Sequence, residues 1–534
     1  MNRSSKFIAF ALVAAMLLLS LPASLLAEPA RTAPEGYNEH DYSKCVSFLE
    51  IEDEDGVKNG TKLNPDYDPD DPGTWLAEGS ETLGFFWEET EGEQRLSVVK
   101  LLKKQGYSLY LVGTLDLQDC SELRELYCGR NPIEEVIVLG CANLEILDAW
   151  SATEISSLDV TQCPALRYLD FSECYSLSKP DLEFNSELEV LVCNGVPMNE
   201  LDVTGKPNLV RLECSFTDLM ELDISCNPLL ETLKAAGNHC ESIDLSNNTN
   251  LSTLILNDNE ELSELNVSMC PLLTILQCEC CRISSGLDLS CNPELEVLLC
   301  GYNPLHELDV THNEKIRWLE CVNCGLSELN TSCNPLLEEL NASGNHICSF
   351  DFSYNTNLTT LLIDNTDISE LDVSMCPELF WIYCDRTHVR YLDFTNNPLI
   401  QAEKVRADGR GYIGYSQDIY DTKYISAVPE DGYTFEGWFT ENGELLSTLE
   451  SIDIGSFAVV TFIARFSAGV QHIPGDIDAN GSVEVTDAIM ALRAAMGIIE
   501  LTPEQLSAAD VNGDELIRID DAVTILRISM GLLS

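Results

Sequence analysis

Positive charge and histidine are scarce in this chain. Its 534 residues carry 30 Lys and Arg against 89 Asp and Glu, with seven His, for a formal net charge of −59. Such a surface repels phosphate backbones and anionic lipids, which argues against nucleic acid and membrane surfaces as partners. It suits a protein working in salt and divalent cations outside the cell. Also lacking are a Ser-His-Asp order, a zinc motif and a phosphate-binding loop, so no catalytic signature stands out. After the first residues no apolar run could span a bilayer, and membrane insertion is not expected. What the chain does have is 45% hydrophobic residues, which excludes a disordered polymer, and a length that leaves room for several domains.

An apolar run from Phe7 to Leu21 follows Arg3 and Lys6 and precedes "PASLLAEP". This is the pattern of a secretory signal peptide over residues 1–27, cleaved after Ala27. The length of the run leaves an uncleaved anchor open. There is no lipobox cysteine, and the mature protein is expected to be secreted and extracellular. Twenty-two cysteines in such a chain ordinarily suggest disulfides. Here all but Cys45 lie between Cys120 and Cys384, mostly at repeated positions that elsewhere carry Leu, Ala or Asn. Cysteine is therefore expected as a small buried apolar residue. The "CVNC" at Cys321 to Cys324 has no second half and no histidine at ligand spacing, which argues against zinc.

A Leu-Asp step recurs at Leu201, Leu222, Leu308, Leu371 and Leu392, with Ile243, Leu265, Leu287, Leu329 and Phe350 in the same column. The period is 21 or 22 residues, and Leu158, Val136 and Leu115 hold the same phase. Within each unit the stretch L-x-x-L-x-C resembles the core of a leucine-rich repeat. A short strand would point Leu and Cys inward, and the Asn that follows would turn the chain. One unit cannot bury its own apolar side, so copies are expected to stack into a curved solenoid over residues 115–400, about fourteen units long. Pro180 and Asp181 stand where Leu-Asp is expected, so that unit is degenerate. Residues 28–114 read as an N-terminal region and solenoid cap, with Trp75, Phe85, Phe86 and Trp87 as its apolar lid. On the outward side of the strand column lie Tyr127, Trp150, Tyr168, Trp318, Trp381 and Tyr383, near Asp148, Asp170, Glu213 and Glu320. Aromatics on a rigid concave face can stack on sugars or anchor a protein, so an unknown polysaccharide or protein is the expected ligand. Scattered surface aromatics also occur without any ligand.

The period stops at Gln401. Residues 401–468 alternate apolar and polar residues between Gly-containing turns, and "GYTFEGWF" closing with "FIARF" resembles small β repeats of bacterial surface proteins. Trp438 is expected in the core of that module. Residues 469–474 form a linker, and residues 475–534 hold two copies of one acidic loop followed by a helix.

Calcium wants six to eight oxygens, which a twelve-residue loop supplies from positions 1, 3, 5, 7, 9 and 12. The first copy offers Asp476, Asp478, Asn480, the Ser482 carbonyl, Glu484 and Asp487, with Gly481 at the sharp turn. The second offers Asp510, Asn512, Asp514, the Leu516 carbonyl and Asp521. Its sixth position is Glu515, where positive φ is costly, and its ninth is Arg518, which repels a cation. Two Ca²⁺ sites are expected, the second weaker. Thr502 and Pro503 should start a linking helix between the copies. "TDAIMALRAAMG" matches "DDAVTILRISMG" down to Leu-Arg and Met-Gly. Ile489, Leu492 and Met496 are expected to face Val523, Leu526 and Met530 across an antiparallel pair.

Loop followed by helix, twice, resembles a type I dockerin over Pro474 to Leu533. The resemblance implies a partner, the cohesin module of a cellulosome scaffoldin. It places recognition on loop positions 10 and 11 and helix positions 17 and 18. These are Val485, Thr486, Leu492 and Arg493 in the first copy, and Ile519, Asp520, Leu526 and Arg527 in the second. The expected fold class is multidomain: a leucine-rich repeat solenoid, a small all-β module and an all-α calcium-binding dockerin. The expected function is that of a secreted, non-catalytic binding protein docked on a scaffoldin at the cell surface, in the context of polysaccharide degradation. The alternative is an enzyme of glycoside hydrolase type carrying a dockerin. No stretch is left over that could hold a catalytic domain, which makes it the lesser reading.

Overall fold

The computed structural model describes residues 31–532 except 78–82, 103–107, 401, 403, 418–422, 458–460, 469–472 and 515. The signal peptide expected over residues 1–27 lies outside the described residues. The chain forms two compact units, one up to Pro304 and one from Leu305 onward.

The first unit opens with α1 (Glu39–Leu49), whose amide at Asp41 donates to the capping Asn38 side chain, and with α2 (Asn59–Leu63). An antiparallel hairpin follows, Gly84–Thr90 against Glu93–Lys100. Trp75 and Phe85 are buried, and Trp75 packs on Tyr42, Phe85 and Trp87 while its indole N–H donates to the Asp68 carbonyl. Phe86 and Trp87 are half-buried. The hairpin's second strand pairs in parallel with the first repeat strand, Val99 opposite Leu126, so that strand does not present an open edge.

Each turn of the first unit then contributes a three-residue strand: Glu125–Tyr127, Ile146–Asp148, Tyr168–Asp170, Val190–Val192, Arg211–Glu213, Thr232–Lys234, Thr253–Ile255, Ile275–Gln277 and Val297–Leu299. Neighbours pair in parallel with the central residues aligned, Leu126 with Leu147 with Leu169. Those leucines are fully buried while their neighbours face out, as period-two alternation requires. The Leu-Asp step is a turn for most of the stack. Asp202 accepts from the amide and hydroxyl of Thr204, and Asp223 from the amide of Ser225. Only at Gly113–Asp116 and Ile133–Ile137 does this column form strand within the first unit, as a separate pair.

Inside the turns, side-chain donors stitch each coil to the one before. Asn227 Nδ2 donates to the carbonyls of Val203 (2.9 Å) and Lys206 (2.8 Å), and Asn248 repeats this with Ile224 and Asn227. Cysteine in the same column does likewise: the Cys141 thiol reaches the Leu117 carbonyl at 3.1 Å, and Cys163 that of Val138 at 3.4 Å. These cysteines are more than apolar filler, because the thiol stands in for an amide donor. Cys226, Cys280, Cys291, Cys333 and Cys348 are exposed. Just beyond each strand one residue is left-handed: Arg130, Ser151, Glu173, Gly195, Phe216, Gly237, Asp258, Cys280 and Tyr302, with φ between 54° and 76°. Each non-glycine member costs on the order of 1 kcal/mol, which the inter-turn hydrogen bonds offset.

The second unit continues the pattern with Trp318–Glu320, Glu339–Asn341, Thr360–Leu362 and Trp381–Tyr383, parallel and in register. The Leu392 column then departs from the expected repeat. Tyr391–Asp393 pairs antiparallel with Lys404–Asp408 and joins a five-stranded sheet with Thr461–Ala468, Tyr433–Phe439 and Leu445–Ser447. A three-stranded sheet of Gly411–Gln417, Lys423–Pro429 and Ser451–Asp453 completes this region, with Trp438 fully buried. The Cys384 amide donates to the Tyr415 carbonyl at 3.0 Å, so this second sheet covers the last solenoid strand. Three helices follow: α3 (Val485–Ala495), α4 (Pro503–Ala509) and α5 (Ile519–Ser529).

Candidate calcium and docking site

In the first loop the backbone wraps around carboxylates. Asp476 accepts from the amides of Asn480 (3.1 Å) and Gly481 (2.7 Å), and Asp478 from that of Asn480. Asn480 accepts from the amide and hydroxyl of Ser482, whose hydroxyl also reaches Glu484. Asp487, fully buried, accepts from the amides of Ile477, Asp478 and Glu484 and so ties the loop to the first turn of α3. One oxygen each from Asp476, Asp478 and Asp487 lies within 4.8 Å of the other two. Three carboxylates this close repel one another, and a hard divalent cation is the group that relieves it. Ala479 and Gly481 take positive φ (55° and 91°), which aims successive amides inward.

The second loop has the same turns with different chemistry. Asp510 accepts from the amides of Gly513 and Asp514, Asn512 from Asp514, and Asp514 from Leu516. Gly513 supplies the left-handed residue (φ 75°) where the first loop uses Ala479. Glu515, expected to be strained, lies outside the described residues. Arg518 donates to Asp514 at 2.8 Å, so a guanidinium already leans on one ligand position. Asp521 is fully buried, with one oxygen accepting the Arg518 amide and the other lacking a hydrogen-bond partner. A buried carboxylate oxygen without a donor among the described residues fits a cation site. Among the described residues, however, no group of three carboxylates forms there at the spacing seen in the first loop.

Between the loops, Thr502 accepts the Gln505 amide and Gln505 accepts the Thr502 amide, closing the expected capping box of α4. The core of the helical pair is small: Ile477, Ala488, Ala491, Ala509, Ala522 and Ile525, with Leu492 and Leu526 half-buried against it. The expected packing of Ile489 and Met496 on Val523 and Met530 is incorrect. All four are exposed, at 44%, 53%, 41% and 53%. The alanines let α3 and α5 approach closely, and this rotates the bulkier residues out of the interface. The outcome is a matched pair of outer stripes: Val485, Ile489 and Arg493 on α3 with its C-cap Met496, and Ile519, Val523 and Arg527 on α5 with its C-cap Met530. Of the expected recognition residues, Val485, Thr486, Arg493, Ile519, Asp520 and Arg527 are exposed, whereas Leu492 and Leu526 also serve the core. The sequence signal for the true core was the alanine spacing.

On the strand face of the first unit, Tyr127, Trp150 and Tyr168 are half-buried, with Arg130 4.3 Å above the Trp150 ring and Lys100 5.1 Å from the Tyr127 ring. Asp148 and Asp170 sit side by side on paired strands. Burial, then the Asp170 charge, pushes Asp148 up to about 6, and burial also raises Asp170. Burial acts against ionisation of Glu213 too, but Lys234 and Arg211 outweigh it and hold that carboxyl below its ordinary value. In the second unit Trp318 is 42% exposed, and the Trp381 and Tyr383 rings stack at 6.3 Å.

The type I dockerin domain family matches residues 474–527. Among solved structures, the functional domain of InlJ from Listeria monocytogenes, described as including a cysteine ladder, is similar at 24% identity, over 67% of this chain and 83% of that one, with a TM-score of 0.53. A leucine-rich repeat protein of Leptospira interrogans is similar at 17% identity (55% of this chain, 88% of that one, TM-score 0.47), and YopM of Yersinia enterocolitica at 20% (56%, 78%, 0.36). No curated protein matches. Among the described residues no helix is long and apolar enough to cross a membrane. Dockerins bind calcium and dock onto cohesins. The chain is a leucine-rich-repeat-like solenoid that carries a type I dockerin domain at residues 474–527.

Proposed function

We propose that this is a secreted, non-catalytic binding protein, held at the cell surface by docking its calcium-organised tail onto a cohesin of a cellulosome scaffoldin. Residues 1–27 would direct export, and residues 115–400 would present a ligand-binding surface for a polysaccharide or protein in polysaccharide degradation. The observation that carries the docking is the pair of matching outer stripes on α3 and α5. Each presents two β-branched residues, one arginine and one methionine. A socket that accepts one stripe can accept the other after a half-turn of the module, so either face would engage. The first loop would hold the tighter Ca²⁺ through Asp476, Asp478, Asn480, Ser482, Glu484 and Asp487. In the second, Arg518 would compete with the ion for Asp514. Arg493→Glu or Arg527→Glu alone should leave cohesin binding within a few-fold of the parent, while the double variant abolishes it. Pull-down of the full chain on cohesins, with calcium and with EDTA, tests this. Binding unaffected by the double variant would overturn the two-face reading, and binding unaffected by EDTA the role of calcium.

The enzyme reading has one observation in its favour. A carboxyl whose pKa is pushed up to about 6 beside a second carboxylate, as at Asp148 and Asp170, resembles the acid of a glycoside hydrolase. Release of reducing sugar from plant cell-wall substrates, lost in Asp148→Asn, would favour it over the binder.

A further inference from the structure

The solenoid breaks its own rules twice, in adjacent turns. At Pro180 and Asp181 the Leu-Asp step is replaced, and one turn later Lys206 occupies the column that holds Asn185 before it and Asn227 after it. Both neighbours use that position to donate to a carbonyl of the preceding turn. Lys206 does not. It is 3% exposed, and among the described residues its ammonium has neither a hydrogen-bond nor an ion-pair partner. The stem is enclosed while the ammonium reaches the solvent, whereas a stitching residue such as Asn would have closed the coil.

The two departures meet in a cleft of about 540 Å³. Lys206 lines it, with Phe171, Leu182, Met198 and Leu201 giving buried apolar wall and Asp181, Glu183 and Asp202 the exposed rim. Burial lowers the Lys206 pKa, and those three carboxylates act in the opposite direction. Lys179 is also at the rim but is engaged by Glu200.

We propose that this cleft binds a neutral sugar, one or two residues at the end of a polysaccharide chain, with the Lys206 ammonium as the donor. The ligand class follows from the mix of groups. An anion would satisfy Lys206 but would pass three rim carboxylates on a protein of net charge −59. A cation would suit the rim and meet an ammonium at the floor. A polyol offers hydroxyl oxygens to Lys206, hydroxyl protons to Asp181, Glu183 and Asp202, and C–H groups to the accessible edges of Met198 and Leu201. The cleft is separate from the aromatic strand face, and the inference does not depend on docking of the tail.

The test uses the full chain with its lysines reductively methylated with ¹³C, so that each methyl signal reports its surroundings, and with Lys206→Asn to assign the signal. Asparagine is the residue of the next two turns in this column, so the variant is expected to fold and to close the coil. Glucose and cellobiose should each shift the Lys206 signal, and unmodified protein should bind cellobiose in calorimetry with an affinity that Lys206→Asn lowers at least about tenfold. Leu182→Trp, which fills the cleft from its apolar wall, should also abolish binding while leaving the Lys206 signal in place. No response to either sugar would overturn the proposal, and so would cellobiose binding undiminished in Lys206→Asn. A response to acetate with none to cellobiose would replace the sugar by a carboxylate and overturn it equally.

Discussion

At the scale of the residue, carboxylates of one type behave in opposite ways because their partners differ. Asp202 is held below its ordinary pKa chiefly by the Thr204 hydroxyl, while Asp148, desolvated and facing Asp170, is pushed up to about 6. A carboxyl whose folded-state pKa is raised stabilises the fold fully below its unfolded value. That contribution is lost as pH rises through the folded value. Denaturant midpoints should therefore fall between about pH 4 and pH 6 by an amount that Asp148→Asn removes, worth roughly 1 kcal/mol after solvent screening. Arg518 gives a second prediction. Restoring a carboxylate at the ninth loop position with Arg518→Glu should tighten the proposed second calcium site by roughly tenfold. Calorimetric titration of the full chain should then show two steps converging toward one. Asp148 is placed on the strand face by the sequence, but its raised pKa is not legible there, and nothing there singles out Lys206. Carboxylates are everywhere in this chain, and a lysine's burial depends on a neighbouring turn being irregular.

At the scale of the element, the repeat was legible because its period is enforced by side chains that must line up. The central leucines stack at full burial, and the Leu-Asp step recurs because Asp closes each turn. The roles of the other columns were less visible. Cysteine and asparagine look unlike in composition, yet Cys141 and Asn227 perform one task. Asn227→Ala should cost about 1–3 kcal/mol through the two inter-turn hydrogen bonds lost to the Val203 and Lys206 carbonyls, and Asn227→Cys clearly less, measured by urea unfolding. The helical pair was misread where large apolar residues were given the interior. Ala488, Ala491 and Ala522 hold it instead, because small residues allow the closer approach. Ala491→Leu is accordingly expected to destabilise the tail by about 1–3 kcal/mol through overpacking, whereas Ile489→Ser, on the outer stripe, should leave its melting nearly unchanged.

At the scale of the whole molecule, two kinds of stability share one chain. The repeats bury a continuous column of leucines, whereas the six buried residues of the tail's core form too little to stand alone against three crowded carboxylates. EDTA should therefore abolish protection from hydrogen exchange in α3 and α5 while the repeat strands keep theirs. The stitching of the coils has a wider consequence. Because most junctions are chemically like the next, length becomes a property that can be edited without redesign. Excising Asp223 to Ile243 would join Leu222 to Asp244 and recreate the motif, and Asn248 would inherit the carbonyls that Asn227 now holds. A lineage bearing such a scaffold can shorten or extend its reach by unequal recombination, one cassette at a time.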